Sequence, residues 1–290
     1  MKIKLLDGSL SYPLEKKGVD LNSKLWTAQV LIDNPNILSE VHSNYVDCGV
    51  DYISTSSYQL SHDSLSQLGY SKKEIFKIFK RSVDIATNSV EEKEIEIVGS
   101  FGPFGTLLAD GSEYTGNYKY DDFTIKNYHK NNFEIINYQK LDVVLYETIP
   151  SLKEIKIILD VIKYSQKKFW ISMTCNKNLK LRDNSSLKEA CEILSEYNNI
   201  SVIGVNCIDP LITSDIIKKL KDYSSKKILI YPNSGEKYNS AIKKWDGESS
   251  INNKLIKEWI SLSPDIIGGC CRVGYDKISK MRSLIDNNEY

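Results

Sequence analysis

Two segments of this chain end in thiols. Ile200-Ser201-Val202-Ile203-Gly204-Val205-Asn206-Cys207 is an apolar run closed by one cysteine; Pro264-Asp265-Ile266-Ile267-Gly268-Gly269-Cys270-Cys271-Arg272 is an apolar run closed by two glycines and two cysteines. Each reads as a short buried strand running into a turn. Three thiolates with a fourth position open is how a catalytic zinc ion is held, whereas a structural zinc fills all four positions with protein. Zinc on three thiolates is a poor source of hydroxide but a good carrier for a substrate thiol, which would lose its proton there and stay nucleophilic. The chemistry that fits is alkyl transfer to sulfur. Two acids, Asp7 and Glu147, also follow apolar runs. Carboxylates beside a thiol site suit a substrate ammonium, and thiol plus ammonium describes an amino-acid thiol. The plain alternatives are a trio of core cysteines, since free cysteine is often simply buried, and a non-catalytic zinc-binding barrel whose metal is closed by a fourth protein ligand.

The elements that must position these residues come from the rest of the pattern. Apolar runs at 3–6, 50–58, 95–100, 143–146, 169–174, 200–207, 228–231 and 264–268 each precede a helical stretch. Ser71-Lys72-Lys73-Glu74 and Ser151-Leu152-Lys153-Glu154 are capping-box sequences. Asn34-Pro35 opens a helix and Gly49 closes it. Sustained alternation of strand and helix implies parallel strands, and eight such units in 290 residues favour a closed (β/α)₈ TIM barrel. No G-x-G-x-x-G follows the first strand, which removes the main support for a dinucleotide-binding sheet. One domain, 1–290, is expected.

In a barrel the chemistry lies at the carboxyl ends of the strands. Those ends carry Asp7, Thr55 with Tyr58, Glu147, Cys175, Cys207, Asn233, and Cys270 with Cys271. Cys207 and the Cys270–Cys271 pair end the sixth and eighth strands, both neighbours of the seventh, so one mouth could receive all three sulfurs. The glycine- and aromatic-rich loop 101–120 is long enough for a lid or binding loop. Cys48 and Cys191 lie on helical stretches and read as packing residues; Cys175 could line the mouth or only pack. His42, His62 and His129 form no metal spacing and read as surface residues. Thr55, Asn233 and Ser234 could equally serve local structure.

Lys+Arg and Asp+Glu both number 38, so the formal net charge is +0 and nothing points to nucleic acid or an anionic membrane. The first residues lack the long apolar core of a signal peptide and no stretch reads as a membrane span. The cytoplasm, where thiols stay reduced, is the expected setting. No oligomeric state is marked.

At these residues the chain resembles the homocysteine S-methyltransferases. The segments that carry the resemblance run nearly end to end: Leu6-Asp7-Gly8, Leu25-Trp26, Asp33-Asn34-Pro35, Ser57-Tyr58-Gln59, Gly102-Pro103, Leu108 to Tyr114, Glu147 to Ser151, Asn206-Cys207, Tyr231 to Glu236 and Gly268 to Arg272. The resemblance implies a zinc-dependent barrel enzyme that methylates L-homocysteine to methionine. Cys207, Cys270 and Cys271 match the family's zinc ligands; Asp7 and Glu147 match its homocysteine-binding acids. Thr55, Tyr58 and Asn206 join them as expected substrate contacts. The loops match the branch that takes its methyl group from S-methylmethionine or S-adenosylmethionine, and selenocysteine or another small thiol is the alternative acceptor. Ser9 departs from the pattern, where the family usually has a second glycine.

Overall fold

The computed structural model describes residues 2–91, 93–239 and 244–287. Eight parallel strands form one sheet: β1 (Lys4–Leu5), β2 (Tyr52–Ser54), β3 (Glu96–Phe101), β4 (Val143–Ile149), β5 (Phe169–Met173), β6 (Ile200–Asn206), β7 (Lys227–Tyr231) and, after a small antiparallel ribbon of β8 (Lys237–Asn239) with β9 (Lys244–Asp246), β10 (Ile266–Ile267). The sheet order is β1-β10-β7-β6-β5-β4-β3-β2. A parallel bridge between Leu6 and Tyr52, with Asp51 N–H donating to the Leu5 carbonyl at 2.7 Å, joins its two ends. The protein is a (β/α)₈ barrel, as the strand–helix alternation predicts.

Alternation along each strand sorts the side chains. Leu6, Val98, Val143, Leu145, Trp170, Val202, Leu229 and Ile266 pack together inside the barrel. The residues between them, such as Val144, Tyr146, Ile203, Val205 and Ile230, point outward into a larger cluster shared with the helices. Each such aliphatic or aromatic side chain contributes roughly 1.5–3 kcal/mol on full burial. The interior is therefore a filled core, and the room for chemistry lies only where the strands end.

The helix caps show how the sequence sets the boundaries. Ser71 and Glu74 exchange reciprocal bonds over the first turn of the helix Lys72–Val90, as expected. Pro35 opens the helix Pro35–Asp47, and Gly49, at φ +80°, takes the left-handed conformation after it. Ser151 accepts from Glu154 N–H at the start of Leu152–Ile162, but the return bond of the expected capping box is absent. The Glu154 carboxylate turns inward instead, accepting from Phe104 N–H at 2.6 Å and meeting His129 Nε2 at 2.8 Å. His129 and His42 are both buried, which corrects the expectation that they lie on the surface. His42 shares a helix face with Leu38 and Tyr45, and His129 with Ile125 and Asn132. Helical position overrode polarity in both cases. His62 is half-buried beside Asp63.

Candidate active site

Strict alternation would send adjacent residues at a strand end to opposite faces. The mouth of this barrel is built by breaking that rule. Asn206, the last residue of β6, faces inward, and Cys207 follows it at φ +51°. That left-handed residue turns the chain so that the Cys207 sulfur also enters the mouth. Thr148, after Glu147 near the end of β4, has φ +59°, and Arg272, after Cys271, has φ +67°. For L-residues such a conformation costs about 1–2 kcal/mol each. On the β10 side the turn needs glycine for room, since a Cβ on Gly269 would lie 2.2 Å from Val273 Cγ1. Gly269 N–H donates to the Asp7 carbonyl, Cys270 N–H to the Pro232 carbonyl at 2.8 Å, and Cys271 N–H to Asn233 Oδ1 at 3.1 Å. Asn233 thus shapes the turn that carries Cys270 and Cys271.

The result is one cluster. The sulfurs of Cys207, Cys270 and Cys271 lie within 4.8 Å of one another, and Cys207 Sγ is 3.9 Å from Cys271 Sγ. All are free thiols. Tetrahedral zinc with bonds of about 2.3 Å separates its sulfurs by about 3.8 Å, so the donor set fits such an ion in type and spacing. Hydrogen bonds among the thiols keep Cys207 protonated well above the ordinary thiol value, with burial adding to the effect. The same bonds, donated to Cys271, hold it well below that value.

Two acids share the mouth. Asp7 is buried; its carboxylate accepts from Ser54 N–H at 2.9 Å and Ser54 Oγ at 2.8 Å. Burial nevertheless pushes it up to about 8, and the charge of Glu147 adds to the rise. Glu147 is pushed up to about 7 by burial and by Cys270, against hydrogen bonds from Ser100 Oγ and Tyr231 OH. Tyr231 donates at 2.9 Å. Among the described residues lining the mouth there is no Lys or Arg. Two buried carboxyls with raised proton affinity thus stand beside three thiols.

The remaining expected contacts divide. Thr55 and Tyr58 line the mouth with Trp26, Thr27, Tyr114 and Thr148. The Thr55 hydroxyl lies 2.6 Å from Ser57 Oγ and accepts from Ser100 N–H at 3.1 Å, so it also ties β2 to β3. Trp26 and Tyr58 meet edge-on at 6.5 Å. Asn206 stands behind the thiols and is fully buried; its Oδ1 accepts from Thr148 N–H and Ser172 Oγ, both at 2.8 Å, and its Nδ2 points to Thr148 Oγ1 at 2.8 Å and Cys270 Sγ at 3.7 Å. Cys175 packs in the outer cluster with Cys191, not in the mouth. Ser9 lines the mouth, and its hydroxyl accepts from Tyr12 N–H at 3.2 Å to start the short helix Ser11–Lys16.

The homocysteine S-methyltransferase family model matches residues 4–285. The chain belongs to the homocysteine S-methyltransferase family. Homocysteine S-methyltransferase YbgG of Bacillus subtilis (strain 168) is 33% identical across 96% of this chain and 92% of its own length. A selenocysteine Se-methyltransferase of Brassica oleracea var. italica is 29% identical across 92% and 84%. Among solved structures, the metallated form of the Escherichia coli homocysteine methyltransferase MmuM superposes with a TM-score of 0.86 at 27% identity, covering 98% of this chain and 96% of that one. The chain is an enzyme of this family, a methyltransferase.

Several residues at this methyltransferase's mouth were not singled out by type or spacing. Ser54, Ser100 and Tyr231, and Ser172 buried behind them on Asn206, are ordinary strand residues in sequence. Their signal lies two residues upstream, because Ser100 follows inward Val98, Ser172 follows Trp170, and Tyr231 follows Leu229. The inward polar residue at the carboxyl end of a barrel strand is the one to mark. Tyr114 reaches the mouth from the 101–120 loop, which folds into a short helix, Gly105–Leu108, and a 3₁₀ turn, Ser112–Tyr114.

Proposed function

We propose that this enzyme transfers a methyl group from a sulfonium donor, S-methylmethionine or S-adenosylmethionine, to the thiol of L-homocysteine, giving methionine. Cys207, Cys270 and Cys271 would hold zinc. Bound there, the metal supplies a Lewis acid that replaces the proton on the homocysteine sulfur and keeps it a thiolate at neutral pH. Asp7 and Glu147 receive the homocysteine ammonium, Ser54 fixes the orientation of Asp7, and Ser100 with Tyr231 fixes that of Glu147. Thr55 and Tyr58 border the bound substrate. Asn206 holds the floor on which the ammonium and thiol sites keep their separation. The new sulfur–methyl bond forms as the sulfonium–methyl bond breaks, and its electron pair leaves on the donor as a neutral thioether. No side chain need act as general base, so the residues bind, orient and exclude water.

One observation carries this reading: three free thiols and two buried acids, each acid with its proton affinity raised, converge on one mouth with no Lys or Arg beside them. A thiol and two cations, an ammonium and a sulfonium, supply what that mouth lacks. A second acceptor, selenocysteine, is favoured by the similarity to the Brassica oleracea enzyme. We place the protein in the cytoplasm, with 1–290 acting as one barrel domain. No helix among the described residues is long and apolar enough to cross a membrane.

The test is a panel of S-methylmethionine, S-adenosylmethionine, betaine and a methylfolate, each with homocysteine or selenocysteine as acceptor, followed by product formation. Methionine from a sulfonium donor is expected. Cys271→Ala should lose both zinc and turnover, and full activity in a zinc-free Cys271→Ala variant would overturn the proposal. In a non-catalytic closed site, homocysteine added to the zinc-loaded protein would leave the metal shell unchanged.

A further inference from the structure

Cys207 poses a local problem. Its neighbour Asn206 already occupies the inward position at the end of β6, and its own sulfur reaches the mouth only because the residue sits at φ +51°. No glycine relieves that conformation. Something must hold it, and the contacts on its backbone show what does. The Cys207 carbonyl accepts from two donors on the segment after β5: Arg182 Nη2 at 3.2 Å and Thr174 Oγ1 at 3.4 Å. Arg182 Nε also donates to Thr174 Oγ1 at 3.2 Å, so the two donors brace each other. One guanidinium therefore spans from the β5 loop to the peptide of a strained residue at the end of β6. Arg182 does not line the mouth.

We propose that Arg182 is a positioning residue for the metal site: its fork, seated on the Cys207 carbonyl and the Thr174 hydroxyl, keeps Cys207 in the left-handed turn that aims its sulfur at Cys270 and Cys271. The inference rests on the zinc reading above only for its first readout. A planar fork with two parallel donors satisfies both acceptors at once, which a lysine ammonium cannot reproduce in the same geometry. Groups that orient a metal ligand typically change metal affinity by 10–100-fold when removed. The asymmetry within the trio supports the assignment. Cys270 and Cys271 are placed by Gly268, Gly269 and the Asn233 side chain, whereas Cys207 has neither a flanking glycine nor a side-chain acceptor for its amide among the described contacts.

The experiment compares wild type with Arg182→Met, Arg182→Lys and Thr174→Val. Zinc affinity is read by competition with a chromophoric chelator, and metal-free thermal midpoints are read alongside. A third, metal-independent readout is the iodoacetamide alkylation rate of Cys207 in stripped protein, resolved from Cys270 and Cys271 by peptide mass spectrometry. Arg182→Met should weaken zinc binding 10–100-fold and speed Cys207 alkylation several-fold, with the metal-free midpoint little changed. Arg182→Lys should recover part of both losses, and Thr174→Val should show a smaller effect of the same kind. Wild-type affinity with a wild-type alkylation rate in Arg182→Met overturns the proposal. So does a zinc loss matched by an equal fall in metal-free stability with no recovery in Arg182→Lys. If wild type takes up no zinc, the zinc reading fails by itself, and the alkylation rates alone decide the role of Arg182.

Discussion

Asn206 grips Thr148 at two points: its Oδ1 accepts the Thr148 backbone N–H and its Nδ2 donates to the Thr148 hydroxyl, each at 2.8 Å. Thr148 is the residue after Glu147 and sits at φ +59°, so this clamp ties the acid that would meet the ammonium to the residue that precedes Cys207. Replacing Asn206 with Leu keeps bulk but strands a buried backbone N–H and the Ser172 hydroxyl. Each stranded buried group costs about 1–3 kcal/mol. Asn206→Leu should therefore unfold at lower denaturant, by about 2–3 kcal/mol, and raise KM for homocysteine. Chemical melts with steady-state kinetics check both, and a variant with normal stability and normal KM would remove Asn206 from the site's framework.

How much of this was legible in the sequence depends on what each feature needs. The barrel was, because its eight units repeat one apolar run and one helical run, and caps such as Ser71 with Glu74 are local chemistry. The three cysteines were, because their type and their position after apolar runs suffice. Two short helices, Ser11–Lys16 and His62–Gln67, were not, since six residues are too few to show a period. Ser61 caps the second with Ser64 where a Glu or Gln would have been the familiar sign. The β8–β9 ribbon has three-residue strands and no apolar alternation to mark it. Glu154 looked like half of a cap, and only the fold shows His129 and Phe104 N–H competing for its carboxylate. The left-handed turns at Cys207 and Thr148 carry no sequence signal, because glycine is absent from both.

The two raised acids give homocysteine binding a pH dependence with a definite sign. In the ligand-free enzyme Asp7 keeps its proton up to about 8 and Glu147 up to about 7. An ammonium prefers both ionised, so affinity for homocysteine should rise with pH through that window, with protons released on binding. The acceptor thiol adds a proton dependence of its own, and the Asp7→Asn variant separates the two. It should bind about 10-fold or more weakly and show a shallower rise between pH 6.5 and 8.5. Calorimetry in buffers of different ionisation enthalpy counts the released protons, and an unchanged count in Asp7→Asn would take the ammonium role from Asp7.

The same linkage bears on folding. Carboxyls raised in the folded state bind protons that the unfolded chain has already lost, so their contribution is present below their unfolded values and is lost as pH rises through about 7 to 8. Ligand-free protein should be less stable at pH 8.5 than at pH 6.5, and zinc with homocysteine should reverse much of that loss by binding only the folded state. Thermal melts at the two pH values, with and without ligands, test the sign directly. A double variant, Asp7→Asn with Glu147→Gln, should flatten the ligand-free difference.

His42 sets a limit on the acid side. Both ring nitrogens are buried without a hydrogen-bond partner among the described residues, and burial pushes the imidazole down to about 4. The folded state holds it neutral while the unfolded chain takes up a proton below about 6.5. Its contribution is therefore intact above about 6.5 and is lost as pH falls towards 4, with a full effect on the order of 3 kcal/mol. His42→Leu keeps the apolar face with Leu38 and Tyr45 and removes the titration. Its stability relative to wild type should grow as pH falls from 7 to 4.5, read as the difference between two denaturation series. A constant difference across that range would show that His42 does not titrate on unfolding.

Arg272 allows strain and contact to be separated at one position. It follows Cys271 at φ +67°, its guanidinium lies 4.2 Å from the Tyr12 ring centroid and 5.7 Å from that of Trp245, and it pairs with Glu15 at 2.6 Å and Glu236 at 3.2 Å. Those partners come from the segments after β1 and after β7, so one side chain ties two rims of the mouth to the turn that carries Cys270 and Cys271. Arg272→Ala loses the contacts and keeps the backbone strain; Arg272→Gly loses the same contacts and relieves the strain. Alanine should therefore be the less stable by about 1 kcal/mol, with both variants about 2 kcal/mol or more below wild type. Arg272→Lys keeps the charge but not the stacked plane, and should fall between wild type and glycine. Urea melts of the four proteins give the order, and glycine no more stable than alanine would mean that the left-handed turn at 272 is not a source of strain.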